Sequence, residues 1–196
     1  MYSTIIKNED NQDELVKKAI LLGYSKIYFL SDKARTQKSE LESLSIKYNV
    51  VINQIVICNS KNCSQYKKQG FLTLIESPGR EVFEQIKPSI ISRLEDIERK
   101  DSIHQRVSGL NQILCGLAKK NNISILFDVS KITSGQILGR IKQNVSLARK
   151  YKLNILIANV CSRPEQIKSP RDIISLGTIL GLSPLEAKKA VSFSIT

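Results

Sequence analysis

Short apolar runs of strand length recur along this chain, each followed by a stretch whose apolar residues fall at helical spacing. That alternation restricts the fold more than any single residue does. Tyr2 to Ile6 is the first β-rich run, and Gln12 to Leu22 follows with Leu15, Val16, Ala19 and Ile20 near helical spacing before Gly23 stops it. Ile27 to Leu30 is followed by helical Lys38 to Tyr48 and then by the β-branched run Val50 to Ile57. A polar stretch, Asn59 to Gly70, leads into Phe71 to Glu76. Pro78 suits the first position of a short helix with Val82, Phe83 and Ile86 on its apolar face. Ser89 to Leu94 fits either period and is read as a strand because the alternation requires one there.

The second half repeats the pattern. Val107 to Lys120 is helical, Ser124 to Phe127 is a strand ending at Asp128, Gly135 to Lys150 is helical, and Leu153 to Ala158 is the last strand. Two further helices are announced by the same device, Ser169-Pro170-Arg171-Asp172 and Ser183-Pro184-Leu185-Glu186. In each, serine caps the helix, proline takes the first turn, and an acid three residues past the serine returns to the cap amide. Seven strands joined by helices imply parallel pairing, in a doubly wound sheet or a compact TIM-like (β/α) barrel, in one α/β domain spanning 1–196. Loops after the strand C-termini gather on one face in either case, so Arg99 to Asn111, Asp128 to Ser134 and Asn159 to Arg171 are expected to be neighbours.

Charge then narrows the partners. Lys and Arg total 30 against 18 Asp and Glu, a net charge of +12, and such an excess points first to nucleic acid and second to an anionic membrane surface. From Lys131 to Arg171 there are nine basic residues and one acid, Glu165. The N-terminal segment has acids and amides where a secretory signal needs an apolar core, and no apolar run approaches a membrane span, so a cytoplasmic chain is expected. Cys58, Cys63, Cys115 and Cys161 form no C-x-x-C pair and are expected to be reduced and structural.

Catalytic signatures are sparse. The chain has no G-x-S-x-G elbow, no phosphate-binding G-x-x-x-x-G-K-[ST] loop and no G-x-G-x-x-G after the first strand. His104 is its only histidine, so a metal site would have to rest on carboxylates such as Asp96, Asp101 and Asp128. Asp128 reads more readily as half of a structural ion pair with a loop arginine. Gly135, Gly139 and Gly177 lie inside helical segments, where close packing is the plain explanation. The densest polar loop, with Arg99, Lys100, Asp101, His104, Gln105 and Arg106, is the first candidate for binding.

Three segments carry a resemblance: the R-K-D loop running into an S-G-L-N helix start, the N-x-x-x-A-R-K-Y end of a helix, and S-P-R-D-I-I-S-L near the C-terminal end. In that order they resemble the archaeal ribonuclease P protein component 3 family, closely in the C-terminal half and only in element order before it. The resemblance implies a barrel related to the polymerase and histidinol phosphatase superfamily that has lost its metal ligands. It implies a non-catalytic subunit that helps a catalytic RNA remove the 5′ leader of precursor tRNA, with no cofactor of its own and magnesium used by the RNA. Ribonuclease P RNA, precursor tRNA and a small ferredoxin-like protein subunit would be the partners. Arg99, Lys100, His104 and Arg106 would face RNA, with Arg140, Arg149, Arg163 and Arg171 as further candidates. The competing reading is a divergent metal-dependent phosphoesterase on the same barrel.

Overall fold

The computed structural model describes residues 1–7, 11–32, 38–96, 101 and 107–195. Seven parallel strands follow one another in both sequence and space: β1 (Tyr2–Lys7), β2 (Tyr24–Ser31), β3 (Val51–Ile57), β4 (Leu72–Glu76), β5 (Ile90–Ser92), β6 (Ser124–Asp128) and β7 (Ile155–Ala158). A doubly wound sheet reverses its strand order partway, and this one never does. The sheet instead curls until its edges approach, where Ile6 bridges Cys161 and the Lys7 amide donates to the Cys161 carbonyl at 2.8 Å. The TIM-like alternative is therefore the one realised, as a nearly closed seven-stranded barrel.

Pleating sorts the side chains. Ile5, Tyr28, Ile55, Leu74, Ile90, Leu126 and Leu156, one from each strand, fill the barrel interior. Their neighbours Ile6, Ile27, Ile75, Ile91, Ile125 and Ile157 pack outward under the helices. An eighth strand is absent from the described sheet, and the chain's own tail enters the interior: Phe193 lies against Tyr28 with ring centroids 5.4 Å apart, and Ser3 Oγ donates to the Phe193 carbonyl at 2.6 Å.

Among the described residues seven α-helices occupy the outside: α1 (Gln12–Leu21), α2 (Lys38–Tyr48), α3 (Cys63–Lys68), α4 (Gln112–Lys120), α5 (Gly135–Lys150), α6 (Pro170–Ile179) and α7 (Pro184–Val191). α3 falls inside the stretch read only as polar. Both serine-proline signals are capping boxes as expected, Ser169 with Asp172 and Ser183 with Glu186. Gly177 shows the close packing expected of a helical glycine: a Cβ there would sit 3.0 Å from Ala187 Cβ and 3.2 Å from Ile157 Cδ1. No helix among the described residues is long and apolar enough to cross a membrane. The four cysteines are buried free thiols.

Two boundaries differ from the periodicity. α4 begins at Gln112 rather than at Val107, because Gly109 takes φ +90° and Asn111 caps the helix by accepting from the Leu114 amide at 2.9 Å. Pro78 does not open its helix either; the segment winds into a wide π-helical turn over Val82–Ile86. Lys87 ends that turn in the left-handed region at φ +54°, consistent with the disfavour of helical geometry before Pro88.

Candidate nucleic-acid interface at the strand C-terminal rim

Strands end at one rim of the barrel, and the loops leaving it were the expected meeting point. The structure joins two of them through Asp128. Its side chain, 5% exposed, accepts the Ser130 amide at 2.9 Å and the Val160 amide at 3.0 Å, so one carboxylate oxygen ties the turn after β6 to the segment after β7. Among the described residues these two backbone N–H groups are its hydrogen-bond donors, and the loop arginines Arg99 and Arg106 lie outside the described residues. Burial pushes its carboxyl above the usual range, and those hydrogen bonds oppose the shift.

The third loop is tied in by Asp101. It accepts the Val107 amide at 2.9 Å, Gln136 Nε2 at 3.4 Å, and two guanidinium nitrogens of Arg140 at 2.9 and 3.0 Å. The Val107 bond, followed by Arg140, holds the Asp101 carboxyl below its ordinary value. Arg140, 3% exposed, also donates to the Glu95 carbonyl at 3.1 Å. This corrects its expected phosphate contact: the guanidinium faces protein and positions the loop. One helical turn on, fully buried Asn144 donates to the Ser108 carbonyl at 2.6 Å and accepts the Leu110 amide at 3.3 Å. Arg140 and Asn144 together fasten both ends of the central loop's described part to α5. Arg99, Lys100, His104 and Arg106 lie outside the described residues.

Arg149 sits at the far end of α5, away from the rim. Its guanidinium grips Glu186 through two contacts of 3.0 Å and donates to the Gly181 carbonyl at 2.9 Å, joining α5 to α7. The basic run from Lys131 to Arg171 is therefore not one surface. Lys131, Arg163, Lys168 and Arg171 are exposed on the rim side, whereas Arg149, Lys150 and Lys152 mark the opposite end.

Glu95 was missed by the sequence reading. It is 2% exposed, and neither carboxylate oxygen has a hydrogen-bond partner among the described residues. Burial, then the nearby Asp128 and Asp96 charges, pushes its carboxyl up to about 7. Its place in Leu94-Glu95-Asp96 gave little warning, since neighbouring Asp96 pairs with Arg93 on the surface. Of the carboxylates expected as a metal set, Asp96 and Asp101 are engaged by arginines. Among the described residues no three His, Cys, Asp or Glu side chains form a group that could hold a metal ion.

No protein-family model matches the chain. Ribonuclease P protein component 3 of Methanococcoides burtonii is 30% identical over 91 residues, 43% of this chain and 38% of that protein. The component 3 of Thermococcus kodakarensis is 24% identical across 80% of this chain and 73% of its own. That of Methanothermobacter thermautotrophicus is 21% identical across 95% and 82%. A chain in a cryo-EM structure of archaeal ribonuclease P with mature tRNA superposes with a TM-score of 0.74 at 20% identity, covering 96% of this chain and 86% of that one. The chain is thus similar in sequence to archaeal ribonuclease P protein component 3 and shares the fold of a chain in the archaeal ribonuclease P structure.

Proposed function

We propose that the chain is an RNA-binding protein subunit of ribonuclease P that assists the catalytic RNA in removing the 5′ leader of precursor tRNA and performs no chemistry itself. The observation that carries the reading is the alignment with archaeal component 3 proteins, reaching 95% of this chain. The net charge of +12 and the exposed cations of the rim are consistent with it. Such a subunit lowers the electrostatic cost of folding a compact RNA and docking its substrate, through contacts to phosphate and shape rather than base sequence. A small ferredoxin-like subunit is the expected protein partner, and the cytoplasm the expected compartment.

The test is cleavage of precursor tRNA by the catalytic RNA of the same source, at limiting magnesium, with and without this protein and the small subunit. Cleavage that depends on the pair supports the reading; cleavage indifferent to it overturns the reading. The metal-dependent phosphoesterase alternative draws on the buried carboxylates Glu95 and Asp128. Stoichiometric zinc, manganese or iron in the purified protein, with RNA-free hydrolysis abolished by Asp128→Asn, would favour it.

A further inference from the structure

At the seam between β1 and the segment after β7, the rim forms an open recess of about 420 Å³. Three lysines line it from distant parts of the chain: Lys7 at the end of β1, Lys131 in the turn after β6, and Lys168 just before α6. Ser130 and Ser162 add hydroxyl donors to the wall, and among the described residues no carboxylate lines it. Asp128 lies behind, accepting the amides of the wall residues Ser130 and Val160.

The frame around the cavity is fixed by its own hydrogen bonds. Asn159 Nδ2 donates to the Gln166 carbonyl at 2.8 Å, and Gln166 Oε1 accepts the Ser162 amide at 3.4 Å. The Lys7 amide closes the seam on Cys161 at 2.8 Å. A lone surface lysine needs no explanation. Three that line one recess lie close enough for a single anion seated there to neutralise them together.

We propose that this cavity seats one phosphate group of an RNA backbone, an inference that rests on the RNA-binding function above. Flexible ammonium groups suit a phosphate better than a base edge, because each is a compact point charge that reads no hydrogen-bonding pattern. The recess is wider than a single phosphate and leaves room for the adjoining sugars.

Two measurements on the full chain test the assignment. Inorganic phosphate is titrated at constant ionic strength while backbone amide shifts are followed by NMR. The expected result is shifts confined to residues 129–131 and 159–168, lost when Lys7→Gln, Lys131→Gln and Lys168→Gln are combined. Binding of a precursor tRNA transcript is then measured against salt. The triple variant should lower the slope of log K against log salt by about 0.7–0.9, the value of one neutralised phosphate. A charge-matched triple at the opposite end of the barrel, Lys68→Gln with Lys119→Gln and Lys120→Gln, should leave the slope unchanged.

Equal losses of slope in the two triples would mean a diffuse field without a site and would overturn the proposal. Phosphate shifts without a change in RNA slope would assign the cavity to free phosphate and also overturn it. Failure of the underlying function looks different, since the unmodified protein would then not bind precursor tRNA at moderate salt.

Discussion

Asn144→Ala probes how the rim loop is held. The side chain is fully buried and serves two backbone groups that are themselves enclosed, the Ser108 carbonyl at 2.6 Å and the Leu110 amide at 3.3 Å. Gly109, at φ +90°, turns the chain between them, and among the described residues neither group has a helical or strand partner to fall back on. Leaving a buried polar group unpaired costs about 1–3 kcal/mol. Two such groups give a loss of about 2–5 kcal/mol, or about 5–15 °C in Tm for a chain of this length. Urea unfolding followed by far-ultraviolet circular dichroism measures it, with an unchanged m value as the sign that only the native state was affected. Asn144→Asp sharpens the test: it keeps an acceptor for Leu110 but sets a carboxylate oxygen against the Ser108 carbonyl. It should therefore fail to rescue stability near neutral pH and recover part of it as the carboxyl takes up a proton. A loss below about 0.5 kcal/mol for Asn144→Ala would refute the reasoning, since surface substitutions reach that level without any such role.

The helical glycines separate by their surroundings. Gly116→Ala in α4 meets nothing within 4 Å and should stabilise the protein by up to about 1 kcal/mol, whereas Gly177→Ala meets Ala187 Cβ at 3.0 Å and should destabilise it by about 1–3 kcal/mol; thermal melts that shift both variants alike would contradict this. Glu95 should make stability fall as pH rises from about 4.5 to about 7, because the folded carboxyl keeps its proton across that window while the unfolded one, at its ordinary value of 4.5, has lost it. The full effect is about 3 kcal/mol, and Glu95→Gln should remove it; urea midpoints for the two proteins that keep the same pH profile would count against the buried, unpartnered carboxyl. Arg149→Gln should lower Tm, since its guanidinium holds Glu186 and the Gly181 carbonyl, and should leave the salt slope of RNA binding unchanged. Arg163→Gln with Arg171→Gln, both exposed at the rim, should do the reverse, lowering that slope by up to about 2.

Strand order was legible in the sequence because parallel barrel strands are covered on both faces and read as dense apolar runs, Val51–Ile57 and Ser124–Asp128 among them. Both serine-proline helix starts were legible because a capping box is local chemistry within four residues. The start of α4 was not, since Leu110 satisfies the helical spacing yet gives its amide to Asn144, 34 residues away. The site divided along the same line. Residue type identified the cations, but which of them face solvent depends on long-range partners: Asp101 draws Arg140 inward across 39 residues, and Glu186 occupies Arg149 across 37. Glu95 escaped notice because its isolation is a property of the folded interior, where no described group meets its oxygens.

The two ends of the barrel consequently do different work with the same residue types. At the end where α5 finishes, Arg149 is spent on a bidentate contact with a helix-capping glutamate, a geometry that stabilises packing between α5 and α7. At the rim, the acids Asp128 and Asp101 are turned onto backbone amides and a buried arginine, so they organise the loops. The exposed lysines and arginines around them are then left with fewer acids to neutralise them. With Asp128 and Asp101 engaged in this way, the exposed Lys131, Arg163, Lys168 and Arg171 give the rim a positive character that suits a polyanion better than a small neutral substrate.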